Sequence, residues 1–414
     1  MSGVTSAPSP ATLSAGAGEA VQPLPVYLDY NATAPVAPRV LTAMMPYFAR
    51  QYGNASSAHI YGHEAHEALD LARRRVARLL SCFEDEVVFT GGGSESNNLA
   101  IKGLVMRHAA NRTAGKHHII ASVVDHPSVL KTCYYLAQRE GARVTLVPVD
   151  RHGLVDPGDV GKALTPDTVL VSIMLANNEV GTIQPVREIV DAVREAAPYA
   201  IVHSDAAQAT GKIPIDVRAL GVDMLTIAGH KFCGPKGVGV LFVRRGLELD
   251  PLIEGAGHEN GRRSGTENIP GIVGLGMAAK LARESLAEEE QRLRSLRDRL
   301  QEGLLAEAPA AVVNGHPTAR LPNTLNISLP GLIGADILKA APRVAASTGA
   351  ACHSDSVDPS SVLVSMGIPS EIALGAIRLS LGRYTTEPQI DEAIEALNTA
   401  VAGLAQARAL RQAS

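Results

Sequence analysis

Cysteine is scarce in this chain. Four cysteines in 414 residues, at positions 82, 133, 233 and 352, lack the close pairing that a zinc ribbon or a disulfide framework requires. This argues against a resident metal knuckle and for a reducing compartment. Also missing is an apolar run of roughly eighteen residues, the length a bilayer span demands. The opening stretch, MSGVTSAPSPATLSAGAGEA, has neither a basic n-region nor an apolar h-region. Its Ala, Ser, Gly and Pro content predicts a flexible tail over residues 1–22. A cytoplasmic location is therefore expected, with no role for a membrane. Neither charge dominates: 38 Lys and Arg against 42 Asp and Glu leave a net charge of -4. Such a balance gives no footprint for nucleic acid. Internal repeats are absent, and so is a G-x-G-x-x-G dinucleotide fingerprint.

What remains is an ordinary globular composition, 46% hydrophobic and 19% charged. Short β-branched runs (VVFT, HIIASVV, RVTLVPV, TVLVSIML, AIVHSDAA, MLTIAG, VGVLFVRR) alternate with amphipathic patterns such as PVREIVDAVREAA. Continuous apolar strands between helices predict an α/β fold with a mostly parallel sheet covered on both faces. Ligand chemistry then belongs at the strand ends. A charged helical pattern from about Gly271 to Leu305 breaks the rhythm and leads into NTLNISLP and IRLSLG. The expected organisation is a large domain over 23–270, then a linking helix and a smaller α+β domain over 271–414.

The most informative residue is Lys231, in LTIAGHKFCGPKG, preceded by HSDAAQ and followed by a loop-borne Cys352 in TGAACHSD. A lysine that forms a Schiff base with pyridoxal phosphate needs an acid to keep the pyridine nitrogen protonated, and Asp205 fits that role. Each residue alone has an ordinary reading as a surface charge, a turn cap or a small buried thiol. Their order carries the argument. GGGSESNN, between a strand and a helix, can turn backbone N–H groups toward an anion, although a plain turn would read alike. Arg378 can grip a carboxylate bidentately or form a structural ion pair. Cys352 sits among small residues that leave a thiol accessible, whereas the other three cysteines lie in packed contexts.

FTGGGSESNN, MLANNEVG, HSDAAQ, GHKFCGPKG, RRSGTENIP and GAACHSD stand in an order that resembles the pyridoxal-phosphate-dependent cysteine desulfurases and selenocysteine lyases. That resemblance implies a fold-type I, aspartate aminotransferase-like architecture, with the stretch near Tyr27 to Pro35 packing on the small domain. It assigns Gly93, Ser94 and His230 to the cofactor phosphate and His126 to stacking and proton transfer. Asn177 would orient the ring and touch the substrate carboxylate, or cap its turn. Gln208 would bond the ring's phenolic oxygen. Thr266 would reach a partner's cofactor in a homodimer, and Arg378 would clamp the substrate carboxylate. The implied reaction converts L-cysteine or L-selenocysteine to L-alanine, with Cys352 as persulfide carrier or proton donor and an acceptor protein collecting the sulfur or selenium. Alternatives are another fold-type I enzyme (an aminotransferase or a kynureninase-like hydrolase) and a non-catalytic sulfur-carrier scaffold. One departure is Ala228, where many of these enzymes carry serine. Thr226, the nearest hydroxyl, is expected on the opposite strand face.

Overall fold

The computed structural model describes residues 24–111, 117–348 and 358–413. Strand β1 (Val26–Tyr27) precedes seven strands of the main sheet: β2 (Val87–Thr90), β3 (His118–Ser122), β4 (Arg143–Val147), β5 (Thr168–Ser172), β6 (Ile201–Asp205), β7 (Met224–Ala228) and β8 (Gly239–Val243). Their order is β2-β8-β7-β6-β5-β3-β4. Neighbours from β7 to β4 pair in parallel, and β8 alone runs antiparallel to both β7 and β2. Alternate residues feed opposite layers, as a period of two requires. Val87, Phe89, Ile120 and Leu225 enter one core; Val88, Ile119, Leu170 and Met224 enter the other. Apolar runs without polar alternation are therefore the correct signature of these doubly covered strands.

A 39-residue helix, Ile269–Glu307, starts where the Asn268 side chain accepts from Gly271 N. Its first half packs Ile272, Leu275 and Ala279 into the main core. Its second half presents Leu293, Leu296, Leu300 and Leu304, spaced three and four apart, to a separate core with Leu325, Ile327 and Leu379. That second core carries an antiparallel sheet of β9 (Val312–Asn314), β10 (Thr324–Ser328) and β12 (Ala376–Ser380), while β11 (Val344–Ala345) pairs in parallel with β1. The final helix is Glu387–Ala413. No helix among the described residues is long and apolar enough to cross a membrane.

The segment after β1 ties the two cores together. Ser380 N donates to Leu28 O at 2.7 Å, while Ala34 N donates to His230 O at 2.9 Å and Ala37 N to Cys233 O at 3.0 Å. One segment, turning at residues 30–32, thus faces both the turn bearing Lys231 and the strand bearing Arg378.

Candidate active site

Strand β7 ends at Ala228 and passes into a short 3-10 turn, Gly229–Phe232, that presents His230 and Lys231. Cys233 closes the turn in the left-handed region, with φ 64°, a conformation that costs a non-glycine residue energy and marks a constrained site. Lys231 Nζ donates to the carbonyls of Asn31 at 2.6 Å and Ala32 at 2.9 Å. Burial lowers its pKa to about 8, helped by Arg378 and opposed by Asp205 and Asp29. A lysine so placed offers a free amine close to neutral pH.

Asp205, the last residue of β6, is buried, and both of its oxygens are engaged. Oδ1 accepts from Ala207 N at 2.9 Å and Oδ2 from Asn97 Nδ2 at 2.7 Å. Asn97 Nδ2 also donates to Ser128 Oγ at 2.8 Å, which lies 2.7 Å from His126 Nδ1. One polar chain therefore links the Asp205 carboxylate to the His126 imidazole. His126 caps the helix Pro127–Glu140, accepting from Ser128 N. Desolvation in the cleft lowers its pKa, with Asp205 opposing and Lys231 adding to the effect. Asn97 and Ser128 do not stand out in the sequence. Their signals are present nonetheless: Asn97 lies one helical turn beyond Gly93, and Ser128 lies two residues beyond a capping histidine.

The helix Gly93–Asn98 begins after Gly92, whose φ of 147° suits only glycine. A Cβ on Gly239, at the start of β8, would meet Gly92 Cα at 2.8 Å, so two glycines let the backbones touch. A Cβ built on Gly93 would lie 3.3 Å from Ala228 Cβ and 3.8 Å from Thr226 Cγ2. Thr226 therefore shares a face with Ala228, contrary to the expectation, because residues two apart on a strand point the same way. Its hydroxyl is nevertheless spent below the cleft, 3.1 Å from His203 Nε2. His230 Nδ1 lies 3.1 Å from Thr33 Oγ1, and burial, with the Lys231 and Lys236 charges, lowers its pKa to about 4.

Arg378, on β12, is buried. It donates through Nη2 to Asp29 Oδ1 at 2.7 Å and through Nη1 to Asn178 O at 3.2 Å, leaving Nε without a partner. Asn177 is fully buried and does not reach the cleft. Its Oδ1 accepts from Glu179 N at 2.8 Å and Val180 N at 3.0 Å, the turn-capping role. Asn178 forms the cleft wall there instead. Gln208 Nε2 donates to Asn31 O at 2.9 Å. Thr266 is exposed and lies off the cleft in the single chain. Cys352 lies outside the described residues. Burial raises the other thiols, Cys82 and Cys133 to about 12 and Cys233 to about 11, which keeps them protonated and unreactive.

Gly93, Ser94, Asn97, His126, Asp205, Gln208, His230, Lys231 and Arg378 all line one cavity of about 410 Å³. This falls within the range of small-molecule sites. The donor set fits pyridoxal 5'-phosphate: an amine of lowered pKa, a buried carboxylate held by an amide, and a glycine-led helix start beside histidine and serine. The class-V aminotransferase family model matches residues 26–393. The cysteine desulfurase IscS of Methanosarcina thermophila is 47% identical over 372 residues, covering 89% of this chain and 90% of that protein. The cysteine desulfurase of Gluconacetobacter diazotrophicus is 46% identical over 382 residues, covering 92% and 94%. A solved NifS-like protein superposes with a TM-score of 0.85 at 38% identity, covering 92% of this chain and all of that one. The chain belongs to the class-V aminotransferase family, enzymes that work with pyridoxal 5'-phosphate. Within that family, the relatives sharing nearly half of its residues are named cysteine desulfurases.

Proposed function

We propose that this protein is a cysteine desulfurase that takes sulfur from L-cysteine, releases L-alanine and loads the sulfur on Cys352 for an acceptor protein. The observation that carries this reading is the joint presence, in one cavity, of a lysine amine with its pKa lowered to about 8 and a buried carboxylate bonded by Asn97. When bound, pyridoxal phosphate supplies an aldehyde for amines and a ring that stores an electron pair. Lys231 serves as its attachment amine and then as the base at the substrate α-carbon. Asp205, held by Asn97, keeps a positive ring nitrogen paired. Arg378, which lines the same cavity, receives the substrate carboxylate, and His126 carries protons beside it. A solved relative named SspA, described in complex with cysteine, is 36% identical with a TM-score of 0.76, covering 87% of this chain. That likeness supports cysteine as the substrate. The active unit is a homodimer in which Thr266 completes the partner's phosphate site.

Alanine formation from L-cysteine and from L-selenocysteine, in the parent and in Cys352→Ala, tests the proposal. Sulfur must be pulled away by a thiolate, so cysteine turnover should collapse in the variant. A selenol is the better leaving group, so selenocysteine turnover should keep a measurable rate. Unchanged cysteine turnover would reject Cys352 as the sulfur carrier, and the appearance of a keto acid would reject the reaction class.

A further inference from the structure

Lys212 is a buried amine for which the reaction just described has no use. It follows β6 by seven residues and is 7% exposed. Among the described residues it has no carboxylate partner. Its Nζ donates to two neutral oxygens only, Gln208 Oε1 at 2.8 Å and Asn31 Oδ1 at 3.0 Å. The charges that face it are of its own sign: Lys231 on the turn after β7 and Arg378 on β12. Cys233, on the same turn as Lys231, has its thiol raised to about 11 and is uncharged. The second cavity, which Lys212 shares with Lys231, has one acidic residue on its wall, Glu289. That carboxylate is held by Arg292 at 2.9 Å and Arg383 at 3.7 Å.

Hydrogen counting gives the protonation state. An –NH2 group has two N–H bonds, matching the two acceptors, whereas –NH3+ would leave one donor and a full charge buried without a partner. Burial drives the amine the same way, well below the ordinary lysine range. Because Lys212 donates, the atom of Gln208 that faces it is Oε1. Nε2 is thereby turned to Asn31 O, the carbonyl that also accepts from Lys231 Nζ. We infer that Lys212 is a positioning residue: an uncharged amine that fixes the orientation of Gln208 against Asn31, which Asn323, Thr324 and Asn178 also hold, and adds no positive charge beside Lys231. The inference rests on Lys231 being the attachment amine.

The test uses the holoenzyme. Borohydride fixation and peptide mapping come first: a label on Lys212 would make it the attachment amine and overturn this inference and its premise together. With the label on Lys231, the visible cofactor band is titrated with pH in the parent and in Lys212→Met. Loss of an uncharged amine should leave the midpoint within about 0.3 pH units. Gln208 Oε1 then lacks its lysine donor and Asn31 Oδ1 keeps only Asn323 Nδ2, so cofactor affinity should weaken about tenfold. The band should also shift in wavelength as Gln208 loses its fixed orientation. A midpoint raised by about one unit or more would show a charged Lys212 and overturn the inference with its premise intact. An unchanged midpoint with unchanged affinity and band position would leave Lys212 a packing residue, which overturns it equally. Should Lys212→Met not fold, Lys212→Leu, which likewise removes the donor and any charge, carries the same readouts.

Discussion

At the scale of single residues, the chemistry of this protein turns on how neighbours set protonation. Lys231 loses its proton near pH 8 rather than near the ordinary 10.5, because burial and Arg378 disfavour the charge more than Asp205 and Asp29 favour it. In the apoprotein, capture of pyridoxal phosphate should therefore speed up with rising pH until about 8 and level off above it. The rate at which the visible band appears measures this, and a rise continuing toward pH 10 would contradict it. Borohydride should fix no cofactor on Lys231→Ala. Asn97 is the second decisive residue, since its amide is the side-chain donor to Asp205. Asn97→Ala should cost about 1.5–3 kcal/mol of the stabilisation given to a charged acceptor. This would appear as a loss of about tenfold or more in kcat with the protein still folded by circular dichroism. A variant with parental kcat would mean that Asp205 is oriented by its backbone contact alone.

Strands and turns set the scale at which these residues are held. Asp205 ends β6, Lys231 follows β7 and Gly93 follows β2, so three strand ends converge on one cavity. This is where parallel sheets gather ligands. The wall between them has a missing hydroxyl at Ala228. Thr226, on the same face, cannot supply it, because its Oγ1 is engaged with His203. Ala228→Ser should therefore tighten cofactor binding by about 1.5–3 kcal/mol, roughly tenfold or more, the worth of one added hydrogen bond to a charged group. Equilibrium dialysis of the apoprotein measures it. Unchanged or weakened affinity would mean that the end of β7 does not meet the phosphate. The face of Thr226 is legible in the sequence, since a strand period of two places it with Ala228. The engagement of its hydroxyl is not, because His203 belongs to a neighbouring strand.

For the molecule as a whole, one long helix and the segment after β1 hold two cores against each other, and the cleft takes groups from both. Thr266 stands outside that cleft in the single chain, exposed. If a second copy brings it to the phosphate, Thr266→Ala should weaken cofactor binding by about 1–3 kcal/mol. The parent should then sediment as a dimer. A fully active monomer would reject the shared site.

The order of elements and the cofactor class were determined by the sequence alone. Period-two and apolar patterning mark buried strands, and Asp205, Lys231 and the glycine run sit at fixed offsets from them. These are local properties, set within a few residues of chain. Only the tertiary structure decided which groups meet. Asp29 reaches Arg378 across 349 positions, Asn31 gathers Lys231, Lys212 and Gln208, and Asn97 finds Asp205 108 positions away. It also decided that Asn177 caps a buried turn while Asn178 faces the cleft. Such pairings, and the protonation states that follow from them, depend on strand order and on how completely water is excluded. Neither leaves a periodic trace in the chain.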